Sequence, residues 1–325
     1  MFAWIFLISL IASSTGALAA ESVVTHIPDE YESNSAFSAA MNNGGYASND
    51  PHSAIRANPA LLGTQKAYSV AAGYHWPVEG RDYYQASIVD TKTSAIAAGV
   101  SYTSFIDKFK YSDNVNPDAS RFDSPLEKRG VVAFSHAVGK GTAGAGATYV
   151  STKPIQNVKI QGREGSIQGT GLNLGFAYPV TNQIVVGGAI ENMSNSKIKD
   201  YAPRTQKLGA AYIGPQITAN FDVRQRERVG QFELPPTDIL APATPASVND
   251  DEPEKMAIAS LSGKMQNYLK ITGSYGQSLT DDRKQLGGGV SLQSQNFVLS
   301  YTANRPYLSK SAAHQSIALI LDIAM

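Results

Sequence analysis

The sequence predicts an all-β fold: a transmembrane up-and-down antiparallel β-barrel of about fourteen strands, with a short N-terminal plug segment. Three observations carry that prediction. From residue 66 onward, segments of roughly ten residues alternate apolar with small or polar side chains, a period of two that belongs to strands. Long and short connections alternate between those segments, as they do between the two rims of a membrane barrel. The chain has 325 residues and 42% hydrophobic side chains, yet beyond its N-terminus no run approaches the ~18 apolar residues of a membrane helix. Equal numbers of basic and acidic side chains, 27 each, offer no electrostatic footprint for nucleic acid. The absence of cysteine excludes disulfides, thiolate chemistry and cysteine-ligated metal.

Residues 1–19 read as an export signal. Phe2 to Ile11 is an apolar stretch of the right length, and Ala17-Leu18-Ala19 has the small-x-small pattern of a cleavage site. Neither Lys nor Arg precedes the apolar run, which leaves a misassigned start codon or an uncleaved anchor as alternatives. Residues 20–65 form the N-terminal plug segment. Asn49-Asp50-Pro51 is a helix start, a capping side chain followed by proline in the first turn, and Asn58-Pro59 ends the helix near Ala57. Ala54, Ile55, Ala57 and Leu61 are placed to pack inside a barrel mouth, and His52 and Arg56 share a face at i,i+4.

The barrel occupies residues 66–325, with strands expected at 66–76, 82–91, 95–104, 129–138, 142–152, 169–179, 183–192, 204–213, 216–224, 255–263, 267–275, 284–293, 296–303 and 314–324. In the first, Tyr68, Val70, Ala72, Tyr74 and Trp76 share one face, while Ser69, Ala71, Gly73 and His75 share the other. The same alternation returns as Ile96 to Tyr102, Leu172 to Tyr178, Leu269 to Tyr275 and Ile317 to Ile323. Tyr68, Tyr74, Trp76, Tyr102, Tyr178, Tyr275 and Tyr301 form the expected aromatic girdle, at the level of lipid headgroups. Connections after even strands are short, such as Gly139-Lys140-Gly141 and Gly214-Pro215, and those after odd strands are mostly long. A soluble sandwich has no reason to gather its long loops at one end. An even strand number puts both chain ends on the periplasmic side; twelve strands is the alternative count. Residues 225–254, rich in proline and closed by Asp250-Asp251-Glu252, read as a mobile external loop.

The other strand face is small and polar: Gly171, Asn173 and Gly175; Thr218, Asn220 and Asp222; Gln285, Gly287, Gly289 and Ser291. With apolar residues toward lipid, this set lines the interior. Either the small side chains let a narrow barrel close, or they leave room for a ligand.

The N-terminal block resembles a known family. Gly44-Gly45-Tyr46-Ala47, then Asp50-Pro51-His52-Ser53-Ala54-Ile55, then Asn58-Pro59-Ala60-Leu61 is similar to the start of outer-membrane barrels of the FadL and PorV type. The closing stretch from Leu286 through Tyr301 to Ile320 is similar to PorV-like ends. The resemblance implies an N-terminal segment folded into the lumen as a plug or hatch, to which Asn58, Pro59 and Ala60 belong; with Asp50, Pro51, His52 and Arg56 of the helix before them, these are the expected plug and gate residues. It also implies passage of hydrophobic molecules (FadL type) or service to protein secretion (PorV type). Three features depart from the family: Leu61 stands where glycine is common, Met325 replaces a terminal aromatic, and the chain is shorter than fatty-acid transporters.

Other constellations point to no chemistry. His26, His52, His75, His136 and His314 include no metal-ligand pair on one strand or helix face. The glycines at 139, 141, 144 and 146 sit in a turn and an alternating strand with no helix following, which is the wrong context for a phosphate loop. Gly287-Gly288-Gly289 marks a bend or a close backbone approach. Ser135 and His136 are strand neighbours and face opposite sides, so they are not a hydrolase pair. Arg224, Arg226 and Arg228 are expected at a loop edge, as solvated charge or as a grip on lipopolysaccharide phosphates. The function expected is therefore non-enzymatic, without metal or cofactor. It is passive transport of a small hydrophobic solute through a plugged lumen in the outer membrane of a Gram-negative-type envelope. Outer-membrane lipid is the expected partner, with a small hydrophobic ligand. The alternatives are a non-transporting scaffold for a secreted protein or a surface polymer, and a soluble periplasmic β protein.

Overall fold

The computed structural model describes residues 35–48, 50–76, 82–106, 128–152, 167–194, 202–227, 253–265, 268–280, 282–305 and 314–323. Within them lie two short helices, α1 (Ala36–Ala40) and α2 (Pro51–Ala57), and a 3-10 turn η1 (Pro59–Thr64). Fourteen strands follow: β1 (Tyr68–Trp76), β2 (Asp82–Asp90), β3 (Ala97–Ile106), β4 (Lys128–Val138), β5 (Gly141–Thr152), β6 (Ile167–Pro179) and β7 (Ile184–Glu191). The second half is β8 (Thr205–Ile213), β9 (Ile217–Arg226), β10 (Glu254–Met265), β11 (Leu269–Ser278), β12 (Lys284–Gln293), β13 (Phe297–Arg305) and β14 (His314–Asp322). Every strand pairs antiparallel with its sequence neighbours, and β1 meets β14 from Ser69↔Asp322 to Trp76↔Gln315, so the sheet closes without an edge. The count is fourteen, as the periodicity predicts, and the twelve-strand alternative falls away.

The alternation is oriented as the sequence implies. Along β6, Leu172, Leu174, Phe176 and Tyr178 are exposed, while Gly171, Asn173 and Ala177 are buried. Along β14, Ile317, Leu319 and Leu321 face out and His314 and Ser316 face in. A barrel dissolved in water would place these faces the other way round, because a continuous apolar belt has a large hydration cost. The inside-out pattern removes the soluble reading; no lipid-free environment suits this exterior.

Some boundaries differ from expectation. The segment proposed as a loop at 225–254 is entered later and left earlier, since β9 runs to Arg226 and β10 begins at Glu254. Arg224 and Arg226 are therefore not loop-edge charges. They are in phase with Asn220 and Asp222, point inward and are 7% and 4% exposed. The expectations for the signal at 1–19, the central part of the 225–254 loop, Arg228, His26 and Met325 concern positions outside the described residues.

The interior is small because it is occupied. An added Cβ at Gly144 of β5 would stand 2.3 Å from the Ala60 backbone nitrogen, and one at Gly187 of β7 would stand 2.5 Å from the Tyr46 carbonyl oxygen. Glycines on the inner face thus receive the N-terminal segment at backbone distance. At these positions the small residues leave room for the chain's own N-terminal part.

Candidate functional site

Residues 35–65 fold by short-range rules. The Ser35 side chain caps α1 by accepting from the Ser38 N–H at 3.1 Å. The chain then reverses through Asn42 and Asn43 (φ 51° and 61°) and Gly45 (φ 83°), left-handed conformations to which asparagine and glycine are suited. Asp50 caps α2, accepting from the His52 and Ser53 N–H groups at 3.0 Å each, with Pro51 in the first turn. A seven-residue helix is not stable alone, so its persistence depends on what it packs against.

The barrel wall supplies that support. Asn58, which is fully buried, uses both ends of its amide: Oδ1 accepts from Ala60 N–H at 3.1 Å and starts η1. Its Nδ2 donates to the Tyr46 carbonyl at 2.8 Å and to the Phe176 carbonyl of β6 at 2.9 Å. Nearby, Ser135 of β4 donates to the Ala60 carbonyl at 2.9 Å. On the far side Asp222 of β9 accepts from the Gly45 and Tyr46 N–H groups at 2.7 and 3.0 Å. Ser274 of β11 donates to the Ala40 carbonyl at 2.7 Å. Between these polar ties, Ala54, Ile55, Ala60, Leu61 and Leu62 form one apolar cluster with Val89, Ala97, Val131, Ala133 and Ala177 of the wall. Leu61 lies within this cluster and is 1% exposed.

Among the described residues, Asp222 is the wall side chain that holds two consecutive backbone N–H groups of the segment. Asp222→Ala leaves both buried donors without an acceptor, at ~1–3 kcal/mol each. The segment in that variant is expected to become cleavable by protease while the barrel stays folded, with Asp222→Asn, which keeps one acceptor, in between. Limited proteolysis in detergent checks this.

A buried ionic group lies on the opposite face of α2 from the apolar cluster. Arg56 Nε meets Glu191 Oε1 of β7 at 2.7 Å, and Lys207 Nζ of β8 meets Glu191 Oε2 at 2.6 Å. Lys207 Nζ also lies 5.5 Å from the Tyr46 ring centroid, a cation–π distance. Burial pushes the Tyr46 phenol above its ordinary range, so it is neutral. His52 is bracketed by two wall hydroxyls, Ser87 at 2.8 Å and Ser69 at 2.9 Å.

Burial holds the His52 imidazole below its ordinary value of 6.5, against the opposing pull of Asp50 and Asp322. A docked histidine with a depressed pKa stays neutral as pH falls, whereas an undocked one takes up a proton. Docking is thus at full strength above the ordinary value and weakens as pH drops below about 6.5, until the docked pKa is reached. Protease sensitivity of residues 35–65 is expected to rise between pH 7.5 and 5, and His52→Gln is expected to flatten that rise.

All seven residues expected at the gate lie in this segment, and the structure gives them unequal tasks. Asp50 and Pro51 start α2, His52 and Arg56 reach different walls (β1–β2 and β7–β8), and Asn58, Pro59 and Ala60 touch β4, β5 and β6. Of the aromatic positions, Tyr68 and Trp76 are the two ends of β1, and Tyr178 is next to the last residue of β6. Tyr102, Tyr275 and Tyr301 sit nearer the strand middles, all with outward phase. The Tyr74 and Trp76 rings lie 5.6 Å apart on the exterior, tilted by 33°. Glu191, Lys207 and Ser135 were absent from the sequence-derived site. The available signal for the first two was a charged side chain in phase with the small inner face. Among the described residues no group of three or more His, Asp or Glu side chains is placed to hold a metal ion.

No protein-family model matches this chain, and no curated protein matches it in sequence. Solved structures do. The Pseudomonas putida toluene transporter TodX superposes with a TM-score of 0.57 at 14% identity, over 92% of this chain and 99% of that one. A TodX deletion mutant described as a monoaromatic hydrocarbon channel gives 0.52 at 13% identity, over 89% and 97%. A FadL homologue of Pseudomonas aeruginosa gives 0.51 at 10% identity, over 89% and 96%. At such identities the likeness is one of fold: a closed fourteen-strand barrel, similar in architecture to these structures.

Proposed function

We propose that this barrel lies in the outer membrane of a Gram-negative-type envelope and passes a small hydrophobic solute passively, with residues 34–65 as its gate. Residues 1–19 are then the export signal, and Tyr68, Tyr74, Trp76 and Tyr178, outward-facing and at or near strand ends, anchor the barrel at the lipid headgroups. The observation that carries the reading is the manner of closure. The lumen is filled by a short segment bound to the wall through separable hydrogen bonds and one modest apolar cluster. Ties of this kind can be exchanged for bonds to water as the segment moves, which keeps the net cost of release low. Fold likeness to a toluene transporter and to a FadL homologue agrees with a hydrophobic cargo. No catalytic constellation enters the proposal; the work is binding and release.

The test uses cells whose lipopolysaccharide leaflet slows hydrophobic compounds and whose own hydrocarbon channels are deleted. Expression of this protein is expected to speed initial uptake of labelled toluene without admitting sugars. Uptake equal to that of empty-vector cells, with the barrel folded in the outer membrane, sinks the reading.

A further inference from the structure

The plug is not packed equally all round. Toward β5, β6 and β7 the segment lies against the wall at glycine positions. Besides the approaches at Gly144 and Gly187, an added Cβ at Gly175 would stand 2.2 Å from Asn58 Oδ1. Toward β1, β2, β13 and β14 a cavity of about 20 Å³ lies between the wall and the side chains of Phe37 and His52. Its apolar lining includes Ala71 and Ala318, and its polar lining includes His75, Gln85 and Ser87.

His75 distinguishes this cavity from a packing fault. The residue is 2% exposed, its ring stacks on Tyr83 at 4.3 Å, and its Nε2 is buried without a hydrogen-bond partner. A buried polar atom left unsatisfied is costly and uncommon, and is expected where something else is to be bound. The present volume admits about one water, so a solute has to enlarge it. The wall on the plug side is α1: five residues long, it carries Phe37, whose ring centroid lies 3.6 Å from Lys270 Nζ.

We infer that solute crosses the barrel between α1 and the β1–β2–β13–β14 wall, and that His75 Nε2 favours apolar solutes carrying one hydrogen-bonding group, such as a phenol, over plain hydrocarbons. This rests on the transport reading above. In it the β5–β7 side of the plug is the fixed side and the α1 side is the one that yields. The imidazole presents Nε2 to a hydroxyl as either acceptor or donor, according to tautomer.

Uptake of p-cresol and of toluene is measured in the same channel-deficient cells, with each barrel checked by its heat-dependent gel shift. Ala71→Leu and Ala318→Leu, which fill the cavity from two strands, are expected to abolish uptake of both solutes. Ala86→Leu, on the lipid face of β2, is expected to leave uptake unchanged. His75→Phe keeps the stack on Tyr83 and removes the nitrogen; it is expected to lower p-cresol uptake about tenfold relative to toluene, the value of one hydrogen bond. Folded Ala71→Leu and Ala318→Leu barrels that carry both solutes at the wild-type rate overturn the route. Equal effects of His75→Phe on both solutes overturn the selectivity. A wild-type barrel that carries neither solute refutes transport itself, and is recognised before any variant is made.

Discussion

Deleting residues 34–57 is expected to leave an intact barrel that leaks. The strand ladder needs none of these residues, since every strand pairs with its neighbours and β1 closes on β14. What disappears is the filling. Ala36, Ala39, Ala40, Tyr46, Ala54, Ile55 and Ala57 are each no more than 3% exposed, and the inner glycines that receive them have no side chains to fill the gap. Eight-stranded barrels can be filled by their own side chains, whereas sixteen-stranded ones hold a water channel, and fourteen lies near the upper case. Cells carrying the deletion are expected to become sensitive to detergents and bulky antibiotics, while the heat-dependent gel shift of the barrel persists. Unchanged permeability with the shift retained removes the gate proposal.

Asn58→Asp is expected to undock the plug with almost no change in side-chain shape. The remaining oxygen can still cap η1 at Ala60. Both donors vanish, however, and the new carboxylate faces the Tyr46 and Phe176 carbonyl oxygens at positions now 2.8 and 2.9 Å away. Two orphaned acceptors and an unpaired buried charge together cost ~3–5 kcal/mol. Such a loss shifts the docked-to-undocked ratio by roughly 10²–10⁴-fold. Asn58→Ser, which caps the turn but cannot reach both carbonyls, is expected to show a smaller effect. Hydrogen exchange at the α2 and η1 amides reads the difference directly; equal protection in wild type and Asn58→Asp contradicts the role given to this side chain. The result also bears on the Asn-Pro-Ala pattern, because Asn58 is the one position there whose task needs a donor pair and an acceptor together.

The sequence by itself determined the strand number, the antiparallel order, the inward and outward faces, and the helix start at Asp50. These are local matters. Period-two alternation, a capping side chain before proline and the length of a connection are each written within about a dozen residues. It misjudged Arg224 and Arg226, because a cluster of charge looks like a solvated strand end. Their phase with Asn220 and Asp222 was the better guide, and it placed them in the lumen. Only the tertiary structure decided what fills that lumen and how it is held. Asn58 meets a carbonyl 118 residues away in sequence, Asp222 meets an amide 177 residues away, and Arg56 meets a carboxylate 135 residues away. No local period encodes such partners. They are set by the closure of the sheet, which brings β6, β7 and β9 around the same short segment and makes glycine the residue that fits where backbone meets backbone.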